Sequence, residues 1–181
     1  MTSILAGMGA LLTGCAALPD DAPFVEQLDE DTGLTIARLG KPLELYREVF
    51  RKDRTERFGF LGPFETNQMG TRDVFLWVAT PQEGDAEPAA PKVTLDGAPL
   101  ELGAPGRRPD FAGLKASPYK IPTPWIATFY FRIDSATVER LGNAKNVTVE
   151  LTEDTRDGRV TAQYQAQLAG DPRLQEFAAR H

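Results

Sequence analysis

Few side chains in this sequence are equipped for acid–base or covalent chemistry, and their positions narrow the choice further. The chain has 181 residues with one His, His181, and one Cys, Cys15. A lone His at the far end of the chain excludes a Ser-His-Asp triad, a Cys-His dyad and a His-based zinc site within the domain. His181 is itself assigned no role. Ser117-Pro118-Tyr119-Lys120 spaces a hydroxyl and an amine one helical turn apart, as a lysine-activated serine requires. Pro122 and Pro124 break a helix soon after, and no Lys-Thr-Gly accompanies the pair, so the spacing reads as chance. The 26 Asp and Glu residues offer pairs for glycoside cleavage, but no motif selects one. Clustered Asp-x-Asp-x-Asp-Gly ligands are absent too. No cofactor and no metal is expected.

Two stretches carry residues suited to binding. In Gly62–Gly70, Glu65, Asn67 and Gln68 could hydrogen-bond a sugar or a peptide. The competing reading, a hairpin end whose Asn and Thr bond their own backbone, is favoured. The segment from Gly103 to Pro124 lacks periodicity and gathers Arg107, Arg108, Lys115 and Lys120 with Phe111, Tyr119 and nearby Trp125. Long structureless connections are uncommon and often functional. It reads equally as a basic, aromatic anchor for a partner and as a lid packed by Phe111, Leu114 and Ile121. Arg47, Arg51, Lys52, Arg54 and Arg57, interleaved with Glu48, Asp53 and Glu56, read as a solvated turn.

The elements that must position these residues are mostly strands. Leu34–Leu39 is short and alternating, and Leu43–Phe50 puts Leu43, Leu45 and Val49 on one face. Phe58–Leu61 pairs with it. Val74–Ala79 and Trp125–Ile133 are apolar enough for central strands. Asp96-Gly97 suits a type I′ hairpin turn between Val93–Leu95 and Pro99–Leu102. Asp157-Gly158 joins two cleanly alternating runs, Val147–Thr152 and Val160–Gln167. Gln82–Pro91 reads as a flexible loop. Two short helices are expected: Ser135–Leu141, stopped by Gly142, and one opened by Asp171-Pro172. The fold class is therefore all-β, an antiparallel β-sandwich of immunoglobulin-like arrangement, with a small β-barrel as the alternative.

Composition sets limits. Hydrophobic residues make up 41% and charged residues 25%, normal for a globular domain. The formal net charge of −6 disfavours nucleic acid as a partner. It also predicts nothing gained from anionic headgroups. With one Cys, no intrachain disulfide forms.

Cys15 has the most specific surroundings in the chain. Ile4–Leu12 is apolar but too short to span a bilayer, and fits the core of a secretory signal. Met1-Thr2-Ser3 lacks the positive charge that should precede it, so the natural start is expected a few residues upstream. Leu12-Thr13-Gly14-Cys15 resembles the lipobox of bacterial lipoproteins. That resemblance implies removal of residues 1–14, then thioether diacylation and N-acylation at Cys15. Several lipid chains on one residue anchor firmly, where one binds marginally. Ala16-Ala17, with no Asp after the cysteine, implies sorting to the outer membrane, facing the periplasm. Residues 15–33 then read as a lipidated Cys and an acidic tether, whose Phe24, Val25 and Leu28 are able to dock onto the domain. Residues 34–181 form the single domain. The expected role is non-enzymatic: binding or assembly with another envelope protein or an envelope glycan. A small envelope-glycan hydrolase and a lipid or hydrophobe carrier are the alternatives.

Overall fold

The computed structural model describes residues 22–47, 57–81, 88–121, 126–155 and 158–181. Cys15, Ala16 to Asp21, Arg51, Lys52, Arg54, Trp125 and Asp157 lie outside the described residues. The ten strands are β1 (Phe24–Asp29), β2 (Leu34–Leu39), β3 (Leu43–Arg47), β4 (Arg57–Gln68), β5 (Thr71–Pro81), β6 (Lys92–Leu95), β7 (Ala98–Pro99), β8 (Ile126–Ile133), β9 (Asn146–Thr155) and β10 (Gly158–Gln167). Two short helices, α1 (Ser135–Asn143) and α2 (Pro172–Ala178), follow β8 and β10. The fold is all-β, antiparallel and sandwich-like, as the alternation predicts.

The strands form one hydrogen-bonded path bent around β4. One edge of β4 pairs with β5, and β5 pairs with β8. Its other edge is shared: Phe64–Asn67 pairs with β2, and Arg57–Leu61 pairs with β3. The corner between β2 and β3, Gly40-Lys41-Pro42, therefore falls opposite Gly62-Pro63. Proline suits that place, because it has no N–H to leave unpaired in the gap. From β3 the path continues to β10, β9, β6 and β7. The two halves share one core: Leu61, Leu76, Val78 and Phe129 lie in the same buried cluster as Val93, Val147, Val149 and Tyr164.

The Asp96-Gly97 turn forms as its sequence predicts. Asp96 and Gly97 both have positive φ, +50° and +80°, as a type I′ turn needs. The Asp96 carboxylate accepts the N–H groups of Lys145 and Asn146 at 3.0 and 2.8 Å. Those bonds hold its carboxyl below the usual range. The second arm is shorter than expected, since β7 covers only Ala98–Pro99.

Two expectations need correction. Gly62–Gly70 is not a polar connection: Gly62–Gln68 belongs to β4, and the turn is Met69-Gly70. Pairing on both edges outweighs the polarity of Glu65, Thr66 and Asn67 there. The acidic segment stops being a tether at Phe24, where β1 pairs with β2 along its full length. Val25 is buried and Phe24 packs on the core, while Leu28 stays exposed.

Asp171 caps α2 by accepting the Arg173 N–H at 2.9 Å, and its carboxylate also holds the Arg173 guanidinium at 2.6 Å. The Arg173 side chain depresses the Asp171 pKa more than burial raises it. A depressed carboxylate stabilises the fold above its unfolded pKa and loses that contribution as pH falls through the folded value. Asp171→Ala should therefore cost about 1 kcal/mol near neutral pH, read from the urea midpoint, and less in acid.

Candidate functional site

The segment after β7 crosses the edge of β8 and folds over the sheet as a lid. Gly106 and Tyr130 exchange both backbone hydrogen bonds at 2.9 Å. A 3-10 turn over Pro109–Ala112 follows, and Gly113 closes it with φ +74°. Ala112, Leu114 and Tyr119 are buried beneath the lid. Tyr119 lies on Trp77, ring centroids 5.1 Å apart, with the Arg38 guanidinium 5.5 Å from its own centroid. Its hydroxyl donates to the Pro63 carbonyl, in the gap that the β2–β3 corner leaves on β4. Burial raises the Tyr119 pKa, so the phenol stays protonated and can donate.

The lid therefore uses several residues that sequence reading offered for binding. Tyr119 is core. Phe111 packs edge-on against Phe75 at 6.3 Å and keeps one side exposed. Arg107 lies 4.2 Å from the Phe129 ring centroid and donates to the Pro88 carbonyl at 2.6 Å. Lys115 pairs with Asp31 at 3.1 Å. Arg108 and Lys120 are exposed. Gln68 is exposed next to the β4–β5 turn, and Asn67 accepts the Gly70 N–H at 3.0 Å, bonding its own turn. Ser117 and Lys120 sit on an irregular stretch, not on a helix.

Glu65 is buried, and its partner is the residue given no role. His181 Nδ1 lies 3.1 Å from Glu65 Oε2, and both side chains are 8% exposed. The imidazole also packs against Phe177 at 4.7 Å. Arg72 reaches the other Glu65 oxygen at 3.8 Å. Desolvation lowers the His181 pKa, and the Glu65 charge opposes it only in part. The unfolded chain therefore takes up the proton first, so the fold loses stability as pH falls below 6.5. An NMR titration should give His181 an apparent pKa below 6.5, and lower still in Glu65→Gln, which removes the attraction. A value above 6.5 in the native chain contradicts the burial argument.

Two surface clefts flank β3. One, of about 550 Å³, opens beside the Tyr46↔Gln165 pairing of β3 with β10, and is lined by polar side chains including Glu44 and Thr148. The other, of about 500 Å³, is lined by Arg38, Gly40, Lys41, Pro42, Glu44, Phe60 and Lys120. It sets three cations against one carboxylate on a protein whose net charge is −6. Arg38 Nη1 donates to the Leu39 and Gly40 carbonyls at 2.9 Å each, which fixes the guanidinium at the corner. Lys120 is the only one of the nine proposed binding residues that lines it. Arg38 and Lys41 escaped sequence reading because they stand alone in β2 and the corner. The fold, not the sequence order, brings them to Lys120.

Among the described residues, no cluster of three or more His, Cys, Asp or Glu could hold a metal, and no helix is long and apolar enough to cross a membrane. No protein-family model matches the chain, and neither a curated protein nor a solved structure does.

Proposed function

We propose that this is a lipid-anchored protein of the bacterial cell envelope whose sandwich-like domain is a non-enzymatic binding or assembly module. The observation that carries the reading is Leu12-Thr13-Gly14-Cys15 closing a nine-residue apolar run, with the first strand opening at Phe24. Cleavage before Cys15 leaves a lipidated residue joined to the sheet by a short acidic stretch. The anchor places the protein on the outer membrane, facing the periplasm, and its partners there are another envelope protein or an envelope glycan.

The arrangement of the domain suits this role better than the alternatives. A carrier needs an interior hollow, but Trp77, Tyr119, Tyr130 and Tyr164 fill the interior, and both clefts open at the surface. A glycan hydrolase needs two carboxylates facing one another, but among the described residues Glu44 is the only carboxylate lining these two clefts. Metabolic labelling with a clickable fatty acid tests the anchor. The wild type should take up label, and Cys15→Ser should lose all of it while still being made. Label retained on Cys15→Ser contradicts acylation at this residue.

A further inference from the structure

We infer that the cleft of Arg38, Lys41 and Lys120 faces the membrane and takes the phosphate groups of anionic lipid headgroups, orienting the domain on its anchor. The inference rests on the lipid-anchored reading above. Its first support is position. The Gly40 N–H donates to the Pro23 carbonyl at 3.1 Å, so the chain arriving from Cys15 joins the sheet at the corner that lines the cleft. Eight residues lie between Cys15 and Phe24. At about 3.3–3.6 Å per residue that stretch reaches roughly 30 Å at most. The corner is therefore held within that distance of the anchor, while the Met69-Gly70 turn lies farther along β4, beyond the Phe64–Asn67 stretch that pairs with β2.

Its second support is chemistry. The Arg38 guanidinium is already fixed by two carbonyls and by the Tyr119 ring, so little side-chain freedom is lost on binding. Its remaining N–H groups suit phosphate oxygens. Lys120 is exposed, and no described residue pairs with it. Phe60 forms an apolar floor. Glu44 opposes the cleft's charge. Salt screens charges more than about 8 Å apart at physiological ionic strength, so the local cations can act at a surface that the net charge of −6 would avoid.

The test uses the full-length protein, extracted from bacterial membranes in detergent and reconstituted into vesicles. Intact mass reports acylation on the same sample. Hydrogen–deuterium exchange is then compared in phosphatidylcholine vesicles, in the same vesicles with phosphatidylglycerol added, and in detergent with inorganic phosphate. We expect several-fold slower exchange at Gly40–Glu44 and Pro118–Ile121 only with phosphatidylglycerol, reversed by high salt. Lys41→Gln/Lys120→Gln should abolish that protection, and Lys145→Gln should leave it. Glu44→Gln should strengthen it. Acylated protein without a difference between the two vesicles overturns the cleft's role and leaves the anchor standing. Equal protection by phosphate alone overturns the lipid as its ligand. Unacylated protein overturns both.

Discussion

Gly62→Ala should unseat the lid and cost about 2–4 kcal/mol, the sum of overpacking and one lost hydrogen bond. A Cβ at Gly62 would stand 2.5 Å from Cε2 and Cζ of Tyr119 and 2.8 Å from its hydroxyl. The ring cannot swing aside, because Trp77 lies on one side of it and Arg38 on the other. Displacing it also removes the donor to the Pro63 carbonyl, which faces the gap in the β4 edge. Such a loss is a large fraction of the 5–15 kcal/mol typical of a domain. Urea unfolding followed by tryptophan fluorescence checks it, since Trp77 reports its own contact with Tyr119. Gly103→Ala is the control, with ordinary backbone and nothing within 4 Å of the added carbon. It should shift stability by no more than about 0.5 kcal/mol. Equal midpoints for the two variants would show that the lid is not seated as described.

Trp77→Ala should be the most damaging single truncation, at about 3–5 kcal/mol. Trp77 is fully buried in β5, between β4 and β8, and its ring supports Tyr119. Trp77→Phe should be much milder, for a specific reason. The Trp77 indole nitrogen and the Tyr130 hydroxyl are cross-strand neighbours, and both are buried without a hydrogen-bond partner. Burial raises the Tyr130 phenol; Ser117, Trp77 and Thr128 lie near enough to oppose this, without good bonding geometry. Phe keeps most of the ring contact and removes an unsatisfied donor, which costs about 1–3 kcal/mol to bury. Its net loss should stay below about 2 kcal/mol. Equal losses for the Phe and Ala variants would mean that the indole N–H is satisfied in solution.

Sequence legibility followed the range of the forces involved. Period-2 alternation at Val147, Val149 and Leu151, the Asp96-Gly97 turn and the Asp171-Pro172 cap are local signals, and each produced the expected element. Gly62–Gln68 carries no local sign of a strand, because its polar residues are buried by partners distant in sequence: β2 and β5 for the backbone, His181 and Arg72 for Glu65. Phe24–Asp29 carries enough acid to look like a tether, yet pairing with β2 and the packing of Phe24 on Phe177 hold it down. The composition of the lid fits both packing and recognition. Side chains decide it: Tyr119 and Leu114 turn inward, and Lys120 turns to the cleft. Arg38 and Lys41 carry no local signal of a shared site.

Location and orientation alike depend on fat attached to a sulfur near the front of the molecule. Intact mass spectrometry of the protein taken from its native host tests that most directly. The expected species begins at Cys15 and carries three acyl chains. A species that keeps Met1–Gly14 and an unmodified thiol would remove the anchor, leaving a sandwich-like domain with no assigned location.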